Sequence, residues 1–125
     1  MEKKIRSYRD LRVWQKGIEL AKRCYMGTRA FPKEEMFGLT SQIRRASSSV
    51  PANIAEGYGR ESRRDYIKFL RIAQGSLKEL ETHWVLAREV GLAQHKAVEP
   101  LLDETDALGR MLRALIRRLQ EKKDS

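Results

Sequence analysis

Residues 62–90 read SRRDYIKFLRIAQGSLKELETHWVLAREV, and their spacing decides the fold class. Tyr66, Leu70, Ala73, Leu77, Leu80, Trp84 and Ala87 recur every three or four positions. That is the period of one helix face, and it is incompatible with the alternation of a half-buried strand. Ser62 followed by Asp65 has the form of a capping box, with Asp in place of the usual Glu. Gly91 supplies a C-terminal stop. A long helix with one apolar stripe needs neighbours to cover that stripe.

The same period appears on both sides of this segment. Downstream, from about His95 to Glu121, Val98, Leu101, Thr105, Leu108, Leu112, Leu115 and Leu119 keep a seven-residue repeat in which only Thr105 is polar. Pro100 falls in its first turn, where proline costs little. Upstream, a segment from about Lys33 to Tyr58 places Met36, Leu39, Ile43, Ala46 and Val50 on one face, with Glu34 and Glu35 in its first turn. Pro51 removes the hydrogen bond to the carbonyl of Ser47 and clashes with it, at ~3 kcal/mol. A kink is expected there, or a break and restart capped by Ser48 or Ser49. The small side chains of residues 46–55 let helix backbones approach closely. Gly57 and Gly59 are expected to end the helix. A first helix from about Asp10 to Arg29 turns Leu11, Trp14, Ile18, Ala21 and Tyr25 inward, with Asp10 as its cap and Phe31-Pro32 as its break.

Four amphipathic helices with short connections predict an all-α protein, an up-down antiparallel four-helix bundle with a kinked second helix. The 125 residues suit one domain spanning 1–125, with residues 1–7 and 122–125 fraying at the ends. Two helices carry further apolar stripes: Val13, Gly17, Leu20 and Cys24 on the first, and Ile72, Ser76, His83, Leu86 and Val90 on the third. Stripes beyond the core seam mark subunit contacts, so Val13, Gly17, Leu20, Ile72 and Leu86 are assigned to an oligomer interface. The competing explanation is that the third helix is central and buried widely.

Most catalytic chemistry finds no support. One Cys and two His cannot make a Cys/His zinc site within a chain. Leu80 and Leu92 precede His83 and His95 by three, so the Glu-x-x-His pairs of di-metal bundles are missing. Gly57-Tyr58-Gly59-Arg60 follows a helix and reads as a turn, not a phosphate cradle. No cofactor or metal is expected. No apolar run approaches the ~20 residues that span a bilayer, and the N-terminus lacks a secretory signal, so a cytoplasmic protein without membrane partners is expected.

The charge is informative. Lys plus Arg is 26 against 17 for Asp plus Glu, a surplus of nine. Basic residues cluster at the N-terminus (Lys3, Lys4, Arg6, Arg9, Arg12), at Arg44-Arg45, around Arg60, Arg63, Arg64, Lys68 and Arg71, and along Arg110, Arg113 and Arg117. Intrahelical ion pairs, such as Asp106 with Arg110, account for part of this pattern. They do not absorb the surplus. Affinity for a polyanion follows, chiefly through phosphates, with Arg44, Arg45, Arg60, Arg63, Arg64, Arg110, Arg113 and Arg117 as candidate contacts to RNA or DNA.

Long blocks of the sequence resemble a known family. They are Tyr8-Arg9-Asp10-Leu11 with Val13-Trp14-Gln15-Lys16, Phe31-Pro32-Lys33-Glu34-Glu35, and Phe37-Gly38-Leu39-Thr40-Ser41-Gln42-Ile43-Arg44-Arg45-Ala46. The most specific is Ser49-Val50-Pro51-Ala52-Asn53-Ile54-Ala55-Glu56-Gly57 with Gly59-Arg60. Phe69-Leu70, Ala73, Gly75-Ser76-Leu77 and Glu79-Leu80-Glu81-Thr82 complete the match. The chain resembles the bacterial four-helix-bundle proteins encoded within intervening sequences of large-subunit ribosomal RNA genes. The resemblance implies an up-down bundle assembled as a homopentamer, a pentameric ring. It is more remotely similar to the accessory variability proteins of diversity-generating retroelements, basic pentameric barrels that bind nucleic acid and a reverse transcriptase. Gly17, where Ala is usual, and Ser47-Ser48, in place of more apolar residues, depart from the family pattern.

Within that picture Asn53, Glu56 and Gly57 are expected to build a structural network with Arg44, Arg45 and Arg60, since Arg–Glu and Asn–backbone pairing explains them without a ligand. Three functions follow. The first is a non-enzymatic basic oligomer binding nucleic acid. The second is a scaffold docking an acidic protein partner or a nucleic-acid enzyme. The third and weakest is an enzyme with a site between subunits.

Overall fold

The computed structural model describes residues 4–122. The expected fraying of 1–3 and 123–125, and Lys3 of the N-terminal basic cluster, lie outside the described residues. A 3₁₀ turn at Tyr8–Asp10 precedes α1 (Arg12–Gly27), and a second at Lys33–Glu35 precedes α2 (Leu39–Tyr58). Then come α3 (Arg63–Glu89) and α4 (His95–Glu121), with no strand among the described residues. Each helix packs on its neighbours in chain order and α4 closes on α1, so α1 and α3, like α2 and α4, stand at opposite corners. Thr28 meets Arg44, Ser49 meets Ser76, and Arg88 meets Glu99, so consecutive helices run antiparallel.

Local chemistry sets the helix ends. The Ser62 hydroxyl accepts from the Asp65 amide at 3.0 Å, as the sequence predicts. Gly91 takes φ +82°, and the amides of Leu92 and Gly91 return to the carbonyls of Ala87 and Arg88. That is a Schellman stop, and it needs a residue without a Cβ at the left-handed position. Other ends differ from expectation. Asp10 does not cap α1: it lies in the preceding 3₁₀ turn and accepts from the Arg6 amide at 2.9 Å. Glu34, Glu35 and Met36 stand outside α2, where Glu35 Oε1 accepts from the Leu39 amide at 3.1 Å and caps α2 from outside. Met36 is consequently exposed, not core.

No restart occurs in α2, which runs unbroken from Leu39 through Pro51 to Tyr58. The hydroxyls of Ser47 and Ser48 donate back to the carbonyls of Arg44 and Arg45, so neither serine caps a new helix. Gly57 is inside the helix instead of ending it. A Cβ there would lie 2.9 Å from Phe69 Cβ and 3.1 Å from the carbonyl oxygen of Tyr66. Gly57 thus sets how closely α2 and α3 meet beside their connection.

The core unites all four helices around Ile43, Val50, Ile54, Leu70, Leu77, Leu80, Trp84, Val98, Leu108 and Leu112. The stripes predicted for α3 and α4 face inward as expected, except that Ile116 is buried while Leu115 and Leu119 are only partly covered. On α1 the predicted inward stripe holds only in part: Ala21 is buried and Leu11 and Trp14 are partly covered against the core, but the second stripe lies deeper. Val13, Gly17, Leu20 and Cys24 are buried, whereas Ile18 and Tyr25 face outward at 42% and 43% exposure. Val13, Gly17 and Leu20 therefore cannot line a subunit contact. Gly17 lies against buried Pro51, where a Cβ would come within 3.4 Å of the proline Cβ, and this close crossing turns the small-residue stripe inward. Thr105, the polar member of the α4 stripe, donates to Glu81 Oε2 at 3.0 Å and so does not burden the core with an unpaired hydroxyl.

Two helix glycines should respond oppositely to alanine. A Cβ added at Gly75 would meet nothing within 4 Å. Gly75→Ala should stabilise by about 0.5–1 kcal/mol through helix propensity alone. Gly57→Ala should destabilise by about 1–3 kcal/mol, because the backbone carbonyl of Tyr66 cannot yield as a flexible side chain would. Urea melts of the two variants beside the parent check both signs.

Candidate nucleic-acid interface

The helical register of α3 and α4 sorts the predicted cations into two groups. On α3, Arg64, Ile67, Arg71, Gln74 and Lys78 follow 3,4 spacing along one edge. On α4, Asp106, Arg110, Arg113, Arg117 and Gln120 do the same. The two rows run antiparallel along the α3/α4 seam, with a recess near each end and Arg71 and Arg117 between them by register. One end is a recess of ≈ 280 Å³ touched by Gln74, Lys78, Glu81, Asp106, Arg110 and Arg113. The other end is a recess of ≈ 590 Å³ touched by Arg63, Arg64, Ile67, Leu119 and Gln120, with Glu61 at the rim. From Arg64 to Lys78 the row spans ~21 Å of helix rise.

Two cations at one end of these rows are paired with carboxylates. Lys78 pairs with Glu81 at 3.1 Å, and Arg110 pairs with Asp106. Arg64, Arg71, Arg113 and Arg117 are exposed and make no ion pair among the described residues. Arg63 is half-buried beside them. Sequence reading placed Arg71 among the basic clusters but not among the contacts, and it passed over Lys78. The 3,4 register with Arg64 is the signal that finds both.

The remaining predicted cations lie elsewhere. Arg44 ties α2 to the C-terminal end of α1: its Nε donates to Thr28 Oγ1 at 2.9 Å, and its guanidinium lies 4.9 Å from the Tyr25 ring centroid. Thr28 in turn donates to the Cys24 carbonyl, and a cation here favours the negative pole of α1. Arg45 is exposed beside Ser49, Ser76 and Glu79 in a shallow α2/α3 recess. Arg60 pairs with Glu56 at 2.7 Å and covers the Phe69 ring at 4.8 Å. Asn53 Nδ2 donates to the Ser49 carbonyl and hydroxyl, and the latter meets the Ser76 hydroxyl at 2.8 Å. That chain of polar groups bridges α2 and α3. Of the residues assigned to an interface, Ile72 and Leu86 are exposed on α3, with Val90 beyond them.

Among the described residues, no three His, Cys, Asp or Glu side chains are placed to hold a metal ion. Cys24 is buried, accepts the Trp84 indole N–H at 3.3 Å, and has its thiol pushed up to about 11 by burial, so it carries no thiolate at neutral pH. No described helix is long and apolar enough to cross a membrane.

Comparison with known proteins places the chain beside one family. The family described as 23S rRNA-intervening sequence protein matches residues 9–114. The crystal structure of a protein of unknown function from the S23 ribosomal protein family of Bacteroides thetaiotaomicron is similar, with a TM-score of 0.76 at 26% identity. That alignment covers 84% of this chain and 98% of that one. No functionally curated protein matches the chain.

Proposed function

Because the chain belongs to the 23S rRNA-intervening sequence protein family, we propose that it is a non-enzymatic, cytoplasmic, homo-oligomeric bundle that binds RNA or DNA along the α3/α4 seam. One observation carries the reading: Arg64, Arg71, Arg113 and Arg117 stand in register on facing helices with no carboxylate paired to them among the described residues. Guanidinium forks match phosphate oxygens in geometry and charge. Nothing along the seam is a module that reads base edges, so the contacts are to the backbone and carry no sequence preference. The homopentamer implied by the family resemblance would repeat the row around a ring. It is supported by the unpartnered apolar face of Ile72, Leu86 and Val90 on α3.

Random-sequence RNA is the probe. Four phosphate contacts per chain correspond to a slope of log affinity on log salt of about −3 for a single strand. Fluorescence anisotropy over a salt series should show steep weakening of that order. Absence of binding at low salt, or binding insensitive to salt, overturns nucleic acid as the ligand and leaves an acidic protein face as the occupant of the same cations.

A further inference from the structure

Phe37 stands in the connection before α2 and is 95% exposed, so its own chain covers almost none of it. Covering an aromatic side chain this exposed removes apolar area from water and is favourable. The flanking charges are those of Lys33, Glu34 and Glu35, and Glu34 makes no ion pair among the described residues. At the same end of the bundle lies an open apolar groove of ≈ 600 Å³, formed where α1 ends, the α3–α4 connection passes and α4 begins. Met26, Phe31, Trp84, Leu92, Ala97 and Leu101 supply its apolar walls. Its only charged lining residues are Arg23 and Lys96, and no carboxylate lines it. Arg23 is paired with Glu104 at 2.7 Å, which leaves Lys96 as the cation without a partner among the described residues.

We propose that Phe37 of one copy seats in this groove on the next copy. The proposal rests on the self-association reading above and specifies the contact that performs it. An acid-flanked aromatic side chain and a base-flanked apolar groove are complementary in both polarity and charge. The groove is larger than one aromatic ring, so Phe37 enters without displacing its walls. Phe37 leads into α2, whereas the groove opens between α1 and α4, the helix diagonal to α2. The two surfaces therefore occupy opposite flanks at one level. A contact of this kind is heterologous, and its repetition produces a ring where the rotation closes. One phenylalanine buries ~150–250 Å², short of a stable interface at ~1,200 Å² or more. Phe37 is thus the anchor, and Met36 with the exposed face of α3 supplies further apolar area.

Static light scattering of the full chain over a dilution series tests this. The parent protein should have the mass of several chains. Phe37→Ala should raise the concentration at which the assembly dissociates by about tenfold or more, with helix content by circular dichroism unchanged. A photoactivatable phenylalanine analogue at position 37 should cross-link between chains, to Met26 or Ala97. If the parent assembles and Phe37→Ala dissociates over the same range, the contact is overturned while self-association stands. Cross-links confined to other surfaces have the same consequence. A parent mass of one chain at every concentration overturns both the contact and the self-association reading.

Discussion

Trp84→Ala is expected to remove about 3–5 kcal/mol of folding stability. The indole is 1% exposed and sits where three helices and a connection meet. Its ring lies edge-on to Phe31 at a centroid distance of 5.9 Å, and its Nε1 donates to the Cys24 sulfur at 3.3 Å. Gly27 is placed so that even a Cβ would come within 3.1 Å of the indole, so this corner is packed tightly. Alanine leaves a cavity that the surrounding helices can fill only by losing other contacts. A domain of this size holds roughly 5–15 kcal/mol in all, so the variant should melt far earlier or fail to fold. Urea denaturation against the parent measures it, and a loss under 1 kcal/mol would show that the corner is not packed as described.

Reversing charge along the seam should have the largest functional effect. The triple variant Arg71→Glu, Arg113→Glu, Arg117→Glu replaces three cations by anions on the surface proposed to follow phosphates. Each lost contact removes ~0.7 from the salt slope for a single strand, so the slope should fall by about 2. Affinity for random-sequence RNA at low salt should fall by about two orders of magnitude or more, since the new carboxylates also repel the backbone. These side chains are exposed and unpaired among the described residues, so stability should change little. Anisotropy titrations and a thermal melt of one preparation separate the two effects. Unchanged affinity in a folded variant redirects the search to Arg45 and Arg60, which lie off this seam.

Several local features were legible because their causes are local. Ser62 capping Asp65, the Schellman stop at Gly91 and the inward stripes of α3 and α4 depend on residues a few positions apart. Features set by distant residues were not. Glu35 caps α2 from a separate 3₁₀ turn, and this turn also carries Met36 out of the core. Pro51 suggested a break, yet the helix continues, and its buried ring packs against Gly17 on another helix. Of the site, the basic clusters could be read directly. The division into a seam row and a set of interhelix ties could not, because Arg44 and Arg113 differ only in what surrounds them.

The amino-acid order by itself determined four amphipathic helices, their approximate ends, the antiparallel course imposed by short connections, and a surplus of nine positive charges. Tertiary structure alone decided which face of α1 turns inward. Both of its stripes are apolar enough to be buried, and periodicity ranks them by hydrophobicity without sensing shape. Val13, Gly17, Leu20 and Cys24 prevail because glycine lets α1 lie against Pro51, while the bulkier Ile18 and Tyr25 remain at the rim. Closeness of approach between backbones is a property of pairs of helices, and one helix's sequence does not contain its partner.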